Sequence, residues 1–383
     1  MSRNVLEKIF LPILIIFHCI GVETLPCPKF YRKWKILTWV WNSPKYLSVF
    51  LVAFCLTFQI AWMFLISNTK RDVAVFAILI LQISAHVTMY RSRRLVKTLP
   101  KTLSKLCKTW MPDILFRKWN ALRILIVLYT LCTATLIPIF IVALLSSEIG
   151  AEGQEYIKNS LSISQEFKKP LSLIIDVRSV VNTAVKISIA FPFSGYYCFI
   201  CICIKLVLRN FISTFKFSNG RINYQTVLET YDDISLIIIL ADDFLCYPAL
   251  VNVLNGMAGL FWSGFTIAFI LKKDYQSYVC LFGCMLFYSC LLLLVLLPAS
   301  VANQAAEEAK DVIISLPGWF PQHYNELKIY VRKKFKQRKS KFTLWKIYKI
   351  NKSLIISTLG TLLTYGFLIG TLGTVRNAKD DEM

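Results

Sequence analysis

The last apolar run of the chain, GTLLTYGFLIGTLG from Gly360 to Gly373, lies inside a stretch of membrane-span length, 353–375. A helix that only anchors needs little beyond leucine and isoleucine, yet this run carries a tyrosine, three threonines and four glycines. On a wheel of 100° per residue with Thr361 at the origin, Ser353, Ser357, Thr364, Thr371 and Thr374 fall between roughly 220° and 320°. Thr361 borders that arc, and Thr358 lies off it. Gly366, Gly370 and Gly373 fall between roughly 120° and 180°, on another face. The span has a hydroxyl stripe and a separate smooth stripe. Two readings stand open. In one, the hydroxyls bond back to their own helix and the glycines admit a neighbouring helix. In the other, the hydroxyls line a pore, and the interleaved Phe367, Leu368, Leu372 and Val375 close it by dewetting.

Six further stretches have span length: 47–66, 73–90, 122–145, 184–208, 245–271 and 278–300. Hydrophobic residues make up 56% of the chain and charged residues 17%, a balance foreign to soluble domains. The expected fold is an all-α integral membrane protein with seven transmembrane helices. The fourth and fifth stretches exceed what a bilayer needs, so they tilt or continue as helices into water. A shorter run, IFLPILIIFHCIGV from Ile9 to Val22, contains a proline and a histidine and is not followed by a small-residue cleavage site. It is expected to be a membrane-surface or bundle-packed helix, with a signal peptide as the alternative.

Basic residues set the orientation. The amino-terminal segment and the second, fourth and sixth connections hold 31 lysines and arginines; the opposite side holds ten. Basic loops stay cytoplasmic, which places the amino terminus inside and the carboxyl terminus outside. A G-protein-coupled receptor has the opposite orientation. The N-x-[ST] pattern occurs once, at Asn351-Lys352-Ser353, on the expected inside. The formal net charge of +22 belongs to span-flanking segments that meet anionic lipid headgroups, which speaks against nucleic acid as a partner.

No hydrolase, kinase or metal motif appears, so neither an enzyme nor a cofactor is expected. Of the 12 cysteines, none lies in an expected outside loop, so no extracellular disulfide framework is expected. The Ile200–Ile204 run, ICICI, reads as core packing rather than metal binding, because no histidine or carboxylate accompanies it. His86 lies within a span, where a packing role and a functional role both remain. The inside connections look helical: Ile222–Leu245 runs into the fifth span without glycine or proline, and Ala302–Leu316 continues the sixth. These stretches would build an intracellular anchor domain. The domains expected are therefore a cytoplasmic segment 1–46, spans one to six over 47–300, a connection with anchor helices over 301–352, and the seventh helix with a short extracellular tail over 353–383.

Several spans carry aromatics in their expected outer halves. These include Phe191, Phe193, Tyr196 and Tyr197 in the fourth, Trp262 and Phe265 in the fifth, and Tyr278 and Phe282 in the sixth. An interfacial belt explains them one at a time. A cavity for a small organic ligand explains a subset, with Ser188, Ser194 and Thr266 as polar groups. The candidate ligand residues are Lys186, Ser188, Phe191, Ser194, Tyr197, Trp262, Thr266, Tyr278 and Phe282; Lys186 also has the alternative of snorkelling to the interface.

The carboxyl-terminal stretch KFTLWKIYKINKSLIISTLGTLLTYGFLIGTLG, Lys341 to Gly373, resembles the last inside connection and final span of arthropod gustatory receptors. Their signature is a Thr-Tyr pair, five hydrophobic residues, then Gln-Phe. Thr364 and Tyr365 match, and Gly366 to Gly370 fills the spacer. Thr371 and Leu372 stand where the glutamine and phenylalanine would be. Chain length, inverted topology and the short tail agree with the resemblance. It implies a plasma-membrane chemosensory receptor acting as a ligand-gated cation channel. The implied assembly is a homotetramer, or a heterotetramer with related receptors, around a pore lined by the seventh helix. The pore and gate residues implied are Thr364, Phe367, Leu368, Thr371, Leu372, Thr374 and Val375. Partners implied are a small-molecule ligand, permeating cations and membrane lipids. The alternatives are a metabotropic seven-span receptor, a transporter, or a non-conducting relative.

Overall fold

The computed structural model describes residues 5–25, 35–65, 69–110, 115–146, 165–217, 224–269, 275–336, 340–361 and 364. Eight helices come first: α1 (Val5–Cys19), α2 (Lys35–Leu65), α3 (Thr69–Arg91), α4 (Arg93–Trp110), α5 (Leu115–Ser146), α6 (Gln165–Phe217), α7 (Tyr224–Phe269) and α8 (Tyr275–Trp319). A 3₁₀ turn, Pro321–His323, leads to α9 (Tyr324–Val331) and a π-helical segment, Arg332–Lys336. Two short strands, β1 (Thr343–Leu344) and β2 (Tyr348–Lys349), pair antiparallel with Thr343 opposite Lys349. Residues 352–361 are helical again.

Helix lengths explain the architecture. α6, α7 and α8 hold 53, 46 and 45 residues. At 1.5 Å per residue each runs to about 70 Å or more, over twice the hydrocarbon thickness of a bilayer. All three therefore continue well beyond any membrane, as the uninterrupted sequence between 222 and 245 suggests. Among the described residues, four segments are long and apolar enough to cross: Trp39–Ala61, Val180–Phe215, Tyr224–Ile267 and Tyr278–Trp319. The expected second and third spans coincide with shorter apolar stretches on α3 and α5, Phe76–Arg91 and Asn120–Thr135. The expected seventh begins in 352–361, and most of it lies outside the described residues.

The run at 9–22 packs within the bundle. Ile9, Phe10, Ile13, Leu14 and Phe17 form one buried stripe at helical spacing. Phe10 and Phe17 meet the Tyr196 ring of α6 edge-on, at 5.9 and 5.6 Å. α1 stops at Gly21, whose φ of +87° suits glycine. Val22 N–H donates to Phe17 O and Gly21 N–H to His18 O, closing the helix end. α4 turns Val96, Leu99, Leu103 and Leu106 inward and Arg94, Lys101 and Lys105 outward. One core cluster joins α1, α4, α6, α7, α8, α9 and the hairpin.

Within the connection at 301–352, Ala302–Leu316 is helical as expected, being part of α8, and the hairpin is an additional element. The stretch Thr343-Leu-Trp-Lys-Ile-Tyr-Lys349 lacks the glycine or asparagine that usually marks such a turn. Instead Trp345 and Lys346 adopt φ of 50° and 59°, a left-handed geometry costly for non-glycine residues. Contacts to α7 and α8 hold it.

Candidate functional site

The hairpin is tied down at each end. Asn303 of α8 is buried, and its Nδ2 donates to the carbonyls of Phe342 and Ile350 at 2.8 Å each. Its Oδ1 accepts from the Phe342 N–H at 2.7 Å. One side chain thus pins the residues just before β1 and just after β2. Asp242 of α7 accepts from Thr343 N–H at 2.7 Å and from the Thr343 hydroxyl at 2.9 Å. Glu307 pairs with Lys341 at 2.9 Å and also with Lys349. Asp243 pairs with Lys346 at 2.7 Å, which holds that ammonium above its ordinary pKa. Trp345 N–H donates to Cys246 O, and the Trp345 ring lies 6.1 Å from Tyr247. The Tyr247 hydroxyl in turn meets Ser84 of α3 at 2.6 Å. A contact chain therefore runs from α3 through α7 to the hairpin, which leads into the terminal helix.

That helix sorts its hydroxyls by face. Thr358, the residue off the wheel's arc, is buried and donates to Leu354 O at 2.7 Å. Ser353, Ser357, Thr361 and Thr364 are exposed in the single chain. Thr361 and Thr364 donate back to Ser357 O and Gly360 O at 2.8 and 2.9 Å. The back-bonding of one reading and the outward stripe of the other are both present. Phe367, Leu368, Thr371, Leu372, Thr374 and Val375 lie outside the described residues.

The candidate ligand residues divide into groups. Phe191 stacks between Tyr129 of α5, at 4.9 Å and 2°, and Phe287 of α8, at 5.6 Å and 15°. The Tyr129 hydroxyl donates to Phe191 O at 2.5 Å. Tyr197 is fully buried, edge-on to Phe342 beside the hairpin at 5.8 Å. Neighbouring Tyr196 donates to Val96 O of α4 at 2.9 Å. These contacts set this part of α6 against segments expected inside, not at the outer end of a span. Apolar residues of a protein core and of a lipid-facing helix read alike, so a hydropathy window does not give depth. Ser194 is buried and spends its hydroxyl on Ala190 O at 2.9 Å. Lys186 is half-buried on the same helix. Trp262, Thr266, Tyr278 and Phe282 lie towards the α7–α8 connection, with Thr266 donating to Trp262 O at 2.9 Å. Tyr278 and Phe282 are exposed. Ser188 lines a cavity of about 190 Å³ between the end of α1, α2 and α6; none of the other eight lines it.

No family model matches the sequence, and no curated protein matches it. Over 97% of this chain and 98% of the other, the structure is similar to that of the insect olfactory receptor OR5 from Machilis hrabei in complex with eugenol, with a TM-score of 0.71 at 12% identity. The fold is that of an insect olfactory receptor. A second structure of that receptor gives the same TM-score over 96% of this chain and 99% of the other. Near-complete coverage in both directions means the olfactory-receptor fold accounts for nearly the whole chain.

Within that fold, the residues sequence reasoning missed are Asn303, Asp242 and Tyr129. Asn303 and Asp242 carried a weak signal, being polar groups in apolar helical stretches. Their partners lie 39 and 101 positions along the chain, beyond any local pattern. Tyr129 had no signal apart from Gly195: a Cβ there would sit 2.1 Å from the Tyr129 ring.

Proposed function

We propose that the chain is a chemosensory receptor of the gustatory type, a ligand-gated non-selective cation channel in the plasma membrane. The observation that carries this reading is the outward hydroxyl stripe of the terminal helix: Ser353, Ser357, Thr361 and Thr364 exposed, Thr358 alone turned in. Back-bonding satisfies two of these hydroxyls, so each alone would tolerate lipid; four of them recurring on one face is the arrangement that a pore wall around a shared axis would use. Four copies, identical or with related receptors, would close that wall. Thr364, Phe367, Leu368, Thr371, Leu372, Thr374 and Val375 then line or gate it. The likeness to a receptor solved with eugenol supports a small organic ligand. Trp262, Thr266, Tyr278 and Phe282, with Phe191 further along the bundle, are the residues proposed to meet it. The hairpin tied to Asn303 and Asp242 would pass the change in α7 and α8 to the pore helix.

The test is expression in oocytes, with voltage-clamp recording during a chemical screen. The expected outcome is ligand-evoked cation current that persists under G-protein block. G-protein-dependent signalling without intrinsic conductance would overturn the reading in favour of a metabotropic receptor. Leu372→Ala should raise basal leak if Leu372 gates by dewetting; unchanged basal and evoked currents at normal surface expression would refute that role.

A further inference from the structure

The cavity of about 190 Å³ is almost wholly apolar, lined by Ile20 after α1, Leu47, Ser48 and Val52 of α2, and Val181 and Ser188 of α6. A charged cluster adjoins it. A Cβ on Gly21 would lie 2.8 Å from Ser48 Cβ and 3.2 Å from Lys45 Cα, so the chain carrying Lys45 touches the cavity wall. Lys45 Nζ lies 2.9 Å from Glu23 Oε1, and Arg93 Nε lies 3.5 Å from Glu23 Oε2. Both cations also lie over the Tyr90 ring, at 5.6 and 4.6 Å. Two cations share a single carboxylate, which leaves excess positive charge, and each of the three side chains is about one-third exposed.

The surroundings are those of a membrane boundary. Leu47, Val49 and Phe50 of α2 are exposed beside the cavity. Lys45 and Arg93 fall in the basic segments expected on the inside, where anionic lipids concentrate. An apolar slot beside an under-neutralised cation pair matches an amphiphile with a negative head.

We propose that this is a binding site for an anionic phospholipid, its phosphate held by Lys45 and Arg93 and an acyl chain lying in the cavity between α2 and α6. The site needs the inside position of the amino terminus but not conduction, so it stands or falls separately from the channel reading. Glu23 has a defined role in it: it pre-orients both cations and competes with the phosphate.

The experiment uses the purified full chain in detergent, with lipid retention read by native mass spectrometry. Phosphatidylserine is tested against phosphatidylcholine, and inorganic phosphate serves as the head-only arm. The wild type should retain phosphatidylserine over phosphatidylcholine, and phosphate should not displace it. Arg93→Gln should weaken retention about fivefold, the worth of one basic residue at an anionic surface. Glu23→Gln should strengthen it, a sign that a merely structural role for the cluster does not give. Ser48→Leu should weaken retention of either lipid by filling the slot. Equal retention of the two lipids by the wild type would overturn the proposal. Displacement of phosphatidylserine by phosphate would reduce it to a simple anion site. Should variants misfold, a photoactivatable phosphatidylserine on the wild type decides: crosslinks to α2 and α6 around Ser48 and Ser188 support the site, and crosslinks confined elsewhere refute it.

Discussion

Tyr129 and Gly195 form one unit. The tyrosine ring can stack flat on Phe191 and reach the Phe191 carbonyl because residue 195 has no side chain. Adding a methyl at a site with 2.1 Å of clearance forces the ring out, breaking both the stack and the hydrogen bond. Gly195→Ala should therefore destabilise the protein by about 1–3 kcal/mol, the usual cost of overpacking a well-packed core. Tyr129→Ala alone leaves a cavity, but in the double variant the new methyl has room. The two changes should cost less together than the sum of each alone, read as melting midpoints of the purified protein. Strict additivity would mean that the two residues do not share this contact. The same contact shows the limit of reading function from residue type. Phe191 and Tyr197 stand six positions apart on α6, yet one joins an aromatic stack with α5 and α8 and the other abuts the hairpin. Composition places both in one aromatic patch; only packing separates them.

The terminal helix was legible as a surface because its signal is local. Hydroxyls at helical spacing define an arc whatever the rest of the chain does, and the residue off that arc, Thr358, is the one the structure buries. The hairpin before it was not legible. Thr343 to Lys349 has no turn-forming glycine, and its left-handed residues are held by Asp242, Asn303 and Cys246 from distant helices. α1 lies between these cases: its apolar stripe was visible in the sequence, while its packing against Tyr196 required the fold. A facial test follows for the terminal helix. Cysteines placed at Ser357 and Thr361 should react with a membrane-impermeant thiol reagent applied to the open channel and lower its current. Cysteine at Thr358 should stay protected, each variant being compared with the parent chain and its native cysteines. Equal reactivity at all three positions would mean that the stripe does not face water.

At the scale of the whole molecule, two facts constrain each other. The fold over nearly the full chain is that of an insect olfactory receptor, and the basic residues divide 31 to ten between the two sides of the expected spans. The first fixes which segments lie together. α4, the hairpin and the amino-terminal helix all pack around Tyr196 and Tyr197, so they lie together at one level of the bundle and are expected on one side of the membrane. The second gives the side expected. Arg91, Arg93, Arg94, Lys97, Lys101, Lys105, Lys341, Lys346, Lys349 and Lys352 all fall in or beside those segments, and translocating so many charges is disfavoured. Because the segments are packed together, their orientation cannot be split: one side receives all of them. An epitope ahead of Met1 should accordingly be reached by antibody only after cells are permeabilised. An epitope after Met383 should be labelled on intact cells. The reverse pattern would put Lys45 and Arg93 on the outer leaflet, removing the lipid proposal together with the orientation. Labelling of both ends on the same side would instead mean an even number of crossings, and the stretch 353–375 would then have to stop short of spanning.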